Sequence, residues 1–152
     1  MSHLTNQPPK VNVHGLTHVY SMKNRTTAAL ENIDLDVPSN TFMSIIGPSG
    51  GGKTTLLRAI GGLLKPTSGT ILIAGVSPQE ARHRKSIGFV FQDPSLLPWL
   101  DVFHNVSLPL DLNRSNHPDS AHRPDRLLET VGLADFKNYY PQQLSGGMKQ
   151  RV

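Results

Sequence analysis

The chain has 152 residues, of which 37% are hydrophobic and 17% are charged, and its formal net charge is +4. This length suits one domain with a hydrophobic core, or part of one, and the composition excludes wholesale disorder. The sequence has no cysteine, which excludes disulfides and thiolate metal sites, and no apolar run reaches the roughly 20 residues of a bilayer span.

The charged residues do not form a large patch. Only residues 82–85 make a compact basic run, which is typical of a solvated turn. The seven histidines have no clustered carboxylates beside them, so a histidine metal site is not expected. We therefore expect a soluble, cytoplasmic chain with no nucleic-acid partner.

The N-terminal part begins with a polar segment, residues 1–10, which is predicted to be a flexible tail. Residues 10–14 and 31–37 alternate apolar and polar side chains and predict two strands of an antiparallel sheet. Tyr20 lies between them and can stack on adenine, a contact worth about 1 to 3 kcal/mol by analogy with bases on aromatic side chains. A tyrosine at a strand edge is the alternative, and both interpretations stay open.

Residues 47–55 follow the Gly-x-x-x-x-Gly-Lys-[Ser/Thr] pattern of phosphate-binding loops. An apolar run of strand length precedes them at 41–46, and residues 54–64 after them are predicted to be helical. Glycines let backbone N–H groups approach phosphates, and the start of a helix adds its positive dipole end. Lys53 is predicted to reach the outer phosphates and the Thr54 hydroxyl to bind Mg²⁺. The predicted nucleotide contacts are Gly47, Pro48, Ser49, Gly50, Gly51, Gly52, Lys53, Thr54 and Thr55.

Two further strands are predicted at residues 70–74 and 87–91, the second of which ends at Gln92. A glutamine at the exit of a buried strand can place its amide oxygen on a metal ion or a water molecule. An ordinary polar residue at a strand end is the alternative.

Residues 95–100 form an apolar patch in a proline-bearing loop, which either packs inward or receives a partner. Asp101 can cap a helix over residues 102–112 that is bent at Pro109. Residues 113–124 are predicted to form a surface loop, and residues 125–131 a helix with Gly132 at its C-terminal cap. Ser145 is a suitable cap for a last helix, where Gly146 and Gly147 leave backbone N–H groups bare for a second anion.

The loop at 47–55, Gln92 and the stretch 144–151 resemble, in this order, the ATP-binding subunits of ABC transporters, over roughly residues 11–152. The resemblance implies an α/β fold of the P-loop NTPase, ABC ATPase type, with an antiparallel β flank and a helical subdomain over about residues 93–152. It implies that 47–55 is the Walker A motif and that Tyr20 stacks on adenine. Gln92 would be the Q-loop glutamine, with catalytic and metal-binding roles, and Ser145, Gly146 and Gly147 of the signature motif would contact nucleotide.

The same resemblance implies ATP and Mg²⁺ as ligands and two protein partners. A second ATP-binding subunit would pair head to tail with this one, and a transmembrane permease would contact Trp99 and Leu100 at the inner face of the cell membrane. The sequence of residues 91–100, together with Met148, resembles the nitrate, sulfonate and taurine importer branch, which implies import of a small anion.

The family pattern continues beyond the signature motif into a Walker B strand with a catalytic glutamate, and neither Asp93 nor Asp135 is assigned that role. The leading hypothesis is therefore the N-terminal portion of an ATP-hydrolysing importer subunit. A non-catalytic nucleotide-binding fragment and a soluble ABC-type ATPase outside transport are the alternatives.

Overall fold

A computed structural model describes residues 10–23, 25–112 and 123–152 of the chain. The chain divides into two compact units, Met1–Phe89 and Val90–Val152. Most of the predicted tail at 1–10 and most of the predicted loop at 113–124 lie outside the described residues.

The first unit contains a three-stranded antiparallel sheet. Its strands are β1 (Val11–Met22), β2 (Arg25–Val37) and β3 (Ser68–Ile73), in the order β2-β1-β3. The predicted antiparallel flank is thus present, but β1 and β2 are longer than the segments 10–14 and 31–37. They continue because they form one hairpin, in which Met22 lies opposite Arg25.

Two helices accompany the sheet, α1 (Lys53–Ile60) and α2 (Pro78–His83). Helix α1 ends before the predicted residue 64, since Gly61 is its C-terminal cap. Residues 82–85 are exposed as predicted, but 82 and 83 are the end of α2 and only 84 and 85 form a turn. The sequence feature that indicates this helix is a serine followed by a proline, which is typical of a helix start. In the structure the Ser77 hydroxyl accepts a hydrogen bond from Glu80 N at 3.2 Å.

The core of the first unit lies where α1 and α2 pack against the sheet. Leu56 and Ala59 supply the buried face of α1, and Ala81 that of α2. The buried residues of this core are Val13, Leu16, Leu30, Leu56, Ala59, Ile71, Ile73 and Ala81. The glycine loop is therefore followed directly by a helix that is anchored on the sheet.

The structure contradicts the strands predicted at 41–46 and 87–91. Both runs are irregular, with Phe42 93% exposed and Val90 95% exposed. A strand exists only where a neighbouring backbone accepts and donates its hydrogen bonds. Within residues 10–23, 25–112 and 123–152 the sheet contains β1, β2 and β3 alone, so neither apolar run is part of it.

The second unit is built from α3 (Val102–Leu112), α4 (Arg123–Thr130), α5 (Gly146–Arg151) and two short 3₁₀ turns. Helix α3 has the predicted bounds, with Pro109 inside it. Gly132, which follows α4, has the positive φ of 68° that its predicted capping role requires. The buried residues of this unit's core are Val102, Leu128, Leu133 and Leu144. Among the described helices of the chain, none is long and apolar enough to cross a bilayer.

Candidate functional site

The N-terminal end of α1 has backbone N–H groups that lack an acceptor within the helix. Gly52 precedes the helix with a φ of 79°, and no side chain caps the helix start. The N–H groups of Lys53, Thr54 and Thr55 therefore have no acceptor within the helix. Together with the positive end of the helix dipole, they make this end of α1 attractive to an anion.

Lys53 brings a positive charge to the same loop. Its Nζ atom donates hydrogen bonds to the carbonyl oxygens of Gly47, at 2.8 Å, and Pro48, at 2.6 Å. The ammonium group thus lies against the backbone of the loop rather than pointing into solvent. A ligand oxygen can replace either carbonyl without the lysine leaving the loop.

The glycine loop is positioned by an irregularity in β2. His18 pairs with Leu30 while Val19 pairs with Ala28, which leaves Ala29 as an extra residue in β2. The carbonyl oxygen of Ala29 lies against Gly52, and a Cβ atom at Gly52 would collide with it. This close approach of two backbones requires glycine and fixes the loop to the hairpin.

Tyr20 lies beside this loop, as the sequence suggested. Its hydroxyl is 3.3 Å from the Thr55 Oγ1 atom, so a hydrogen bond links β1 to the first turn of α1. The side chain of Thr55 is buried, whereas Tyr20 is 39% exposed. The structure therefore brings an accessible aromatic ring and the glycine loop together in one unit.

Sequence reasoning missed His18, which packs on Tyr20. The two ring centroids are 4.6 Å apart and the ring planes meet at 85°, an edge-to-face arrangement. His18 is only 8% exposed. The signal available in the sequence was the two-residue period of a strand, which puts residues 18 and 20 on one face.

The remaining predicted site residues belong to the second unit. Gln92 is exposed and lies in an irregular segment, not at the end of a strand. The Ser145 hydroxyl caps α5 by accepting a hydrogen bond from Met148 N at 3.3 Å, and Gly146 and Gly147 have open space around their Cα atoms. The cap predicted at Ser145 is present, and the ligand contacts of Gln92 and the signature residues stay predictions.

The loop before α3 is rigidly held by Asn105. The Asn105 Oδ1 atom accepts from Leu97 N at 2.7 Å, and its Nδ2 atom donates to the carbonyl of Leu100 at 2.9 Å. Trp99, between these two anchor points, is 69% exposed. A large apolar ring is thus presented to solvent on a fixed loop.

Two carboxylates outside the glycine loop have pKa values below the ordinary one. Burial acts to raise the pKa of Asp101, but hydrogen bonds from the backbone N–H and the imidazole of His104 outweigh it and hold that pKa below its ordinary value. The backbone N–H of Gly15 is the main group that lowers the pKa of Asp34, and His14 adds to it. No cluster of three or more His, Cys, Asp or Glu side chains that could hold a metal ion occurs in the described part of the chain.

An uncapped helix start after a glycine loop that carries a lysine, packed on a β-sheet, defines a P-loop domain. A family model described as "ABC transporter" matches residues 30–152. The chain therefore belongs to the ABC transporter family.

Solved structures show the same fold. The ATP-binding cassette MJ0796, solved as a dimer bound to ADP and Pi, has a TM-score of 0.80 at 37% identity, over 93% of this chain and 66% of that one. The structure of cbiO1 from Clostridium perfringens, part of the ABC transporter complex cbiONQ, has a TM-score of 0.71 at 31% identity, over 95% of this chain and 59% of that one. The fold is that of an ABC-type P-loop ATPase, as predicted.

Curated relatives are similarly close in sequence. The methionine import ATP-binding protein MetN 3 of Pectobacterium atrosepticum is 40% identical over 93% of this chain and 43% of its own length. An ABC transporter ATP-binding protein of Methanocaldococcus jannaschii, MJ0412, is 41% identical over 94% of this chain and 53% of its own. The chain thus spans about half the length of the curated relatives that it matches.

Proposed function

We propose that this protein binds ATP at residues 47–55 and acts as the ATP-binding subunit of an importer. The observation that carries the proposal is the pairing of Lys53 with the uncapped start of α1 on one loop. Membership of the ABC transporter family and the likeness to a cassette solved with ADP and Pi support it.

The loop binds phosphate by exchanging partners. The Lys53 ammonium leaves the carbonyls of Gly47 and Pro48 for oxygens of the β- and γ-phosphates, while the N–H groups at the start of α1 donate to the same anion. Phosphate oxygens carry negative charge and the loop carbonyls do not, so the exchange adds an attraction between opposite charges that favours the bound state.

A magnesium ion would be held together with the nucleotide. Mg²⁺ prefers oxygen ligands and takes most of them from phosphates and water, with one or two from the protein. The exposed Thr54 hydroxyl at the start of α1 suits such a ligand. The metal-binding and catalytic roles of Gln92 are proposed from the sequence resemblance alone.

The partners are proposed on separate grounds. Ser145, Gly146 and Gly147 would contact the nucleotide held by a second subunit in a head-to-tail dimer, in keeping with the dimeric form of MJ0796. We propose that the exposed Trp99, on the loop that Asn105 holds, contacts a membrane-spanning permease, and that the protein acts at the cytoplasmic face of the membrane. An exposed aromatic ring on a held loop suits a protein partner, which is the reason for preferring the transport role over a soluble ATPase outside transport.

The transported solute is proposed from the relatives. Several of them are described as methionine import proteins, and they do not support the nitrate, sulfonate and taurine branch that residues 91–100 suggested. We therefore propose methionine as the first solute to test and taurine as the second.

The test is uptake of labelled methionine and labelled taurine by cells in which the gene is deleted and then restored. Restoration by the wild-type gene, but not by a Lys53→Ala gene, is expected to recover methionine uptake. Recovery of taurine uptake alone would return the protein to the small-anion branch. If the purified protein bound Mg-ATP but hydrolysed none with its permease, it would be the non-catalytic alternative.

A further inference from the structure

His18 is buried without the hydrogen bonds that a buried histidine normally makes. In the part of the chain that the structure describes, neither Nδ1 nor Nε2 has a hydrogen-bond partner, and both atoms are shielded from water. An unpaired polar atom in the interior costs free energy. An apolar side chain of similar size would avoid that cost, so the ring of His18 needs another explanation.

The neighbour that the ring touches is Tyr20. Two contacts fix this tyrosine, the edge-to-face contact with His18 at one side of the ring and the hydrogen bond to Thr55 at the hydroxyl. Because the nitrogen atoms of His18 are shielded from water, a ligand cannot reach them, and His18 can act on a ligand only through the tyrosine.

We propose that His18 is a positioning residue for the base of the nucleotide. Its ring holds Tyr20 in the orientation that stacks on adenine, and this inference rests on the proposed ATP-binding function. A platform that is already fixed loses little side-chain entropy when the base stacks on it, whereas a mobile tyrosine would lose more. The Ala29 bulge and the Thr55 hydrogen bond tie the same platform to the phosphate loop. One fixed surface thereby contacts both the base and the phosphates.

The test compares two substitutions that both remove the unpaired nitrogens. His18→Phe keeps an aromatic ring against Tyr20, and His18→Leu keeps an apolar side chain but removes the ring. Both are made in the full-length protein, whose thermal melting is checked first. If the leucine variant does not fold, His18→Met takes its place, because methionine adapts to irregular core space. Calorimetry then gives the dissociation constants for Mg-ATP and for magnesium tripolyphosphate, which has no base.

The leucine variant is expected to bind ATP about two- to tenfold more weakly than wild type, the range that an aromatic pair contributes. Its affinity for tripolyphosphate is expected to be unchanged, and the phenylalanine variant is expected to bind both ligands like wild type. In a Tyr20→Ala background the leucine and phenylalanine variants are expected to bind ATP equally, because the residue through which His18 acts is gone.

Equal ATP affinities for the leucine and phenylalanine variants in the wild-type background would overturn the inference. So would a leucine variant that loses affinity for ATP and tripolyphosphate alike, since that pattern means a general structural role. The proposed function fails by a different result, namely that the wild-type protein binds neither ligand. A Tyr20→Ala protein that still prefers ATP over tripolyphosphate as wild type does would refute the platform itself, whatever His18 does.

Discussion

Gly52 is tightly constrained by the surrounding structure. It combines a positive φ with a backbone neighbour, the carbonyl of Ala29, in the space that a side chain would fill. Gly75 has a similar φ of 81° but nothing within 4 Å of its missing side chain. Alanine substitutions at these two glycines therefore separate two free-energy costs, that of the left-handed conformation and that of a steric clash.

Gly75→Ala is expected to lower the free energy of unfolding by about 1 to 2 kcal/mol, the cost of a left-handed conformation in an ordinary residue. Gly52→Ala adds overpacking against β2, typically about 1 to 3 kcal/mol more. Urea titration of both variants measures the difference. Equal losses would show that the Ala29 contact does not constrain the loop.

Tyr20→Ala removes the proposed base platform and leaves the phosphate contacts in place. ATP binding is expected to weaken by about 1 to 3 kcal/mol, the range for a base stacked on an aromatic side chain. Tripolyphosphate binding is expected to change little, and calorimetry with both ligands measures the two effects. An equal loss for both would contradict stacking.

The glycine loop and Tyr20 could be proposed as ligand contacts from the sequence, the loop because of its pattern and Tyr20 because an aromatic ring can stack on a base. Their ligand contacts stay predictions. The relation of Ala29 to Gly52 could not, since it depends on a register shift between two strands. His18 was missed for a related reason, because its role depends on a ring contact and not on any motif.

At the level of secondary structure, α3 shows how a short polar signal defines a helix. The Asp101 carboxylate accepts a hydrogen bond from His104 N at 2.8 Å, as an N-terminal cap does. The carbonyls of Tyr139 and Lys137 accept from Val102 N and Phe103 N at 2.9 Å each, so the helix start is well satisfied. The bounds of α3 were predictable because cap and apolar spacing agree.

Asp101→Ala is expected to lower the free energy of unfolding by about 1 kcal/mol at neutral pH, the usual value for a lost cap. The folded-state pKa of Asp101 is lowered, so its contribution is fully present above the unfolded value of about 3.9 and is lost as pH falls through the folded one. The difference between wild type and the alanine variant should therefore shrink below about pH 4.

Asp101→Asn is the matched control, because asparagine caps a helix but does not titrate. Denaturant unfolding at a series of pH values measures all three proteins. A wild-type advantage over the alanine variant that persisted unchanged at pH 2 would contradict the role of the carboxylate.

The strands at 41–46 and 87–91 were the main errors of element prediction. Their apolar composition correctly indicates segments that favour burial, but composition does not supply a partner strand. Phe42 and Val90 are almost fully exposed for this reason. The apolar pattern thus indicates that a segment favours a buried strand, but whether the strand forms depends on the rest of the fold.

At the scale of the whole molecule, the two units differ in what they contribute. The first carries the glycine loop and Tyr20, and the second carries Gln92, Trp99 and the signature residues. The chain spans 43% of the length of the methionine import relative MetN 3, and it exposes the apolar run at 41–46 together with Val90 and Phe91. Apolar surface of this kind promotes association.

A polypeptide of residues 1–152 is therefore expected to self-associate at micromolar concentration, as light scattering coupled to size-exclusion chromatography would show. The double substitution Phe42→Lys and Val90→Lys should reduce the association. Met22→Lys is the control, because Met22 is also exposed but lies at the hairpin end, outside both runs. An equal effect of the control, or a monomeric wild type, would contradict this expectation.

The most direct test of the central claim, that the glycine loop binds the triphosphate of ATP, is isothermal titration calorimetry of the full-length protein with Mg-ATP. The wild-type protein is expected to bind. Lys53→Ala should weaken binding about 100-fold or more, because two charge-assisted hydrogen bonds of roughly 1.5 to 3 kcal/mol each are lost. Lys65→Ala, outside the loop, should bind like wild type. A wild-type protein that gives no binding heat, or a Lys53→Ala protein with undiminished affinity, would contradict the claim.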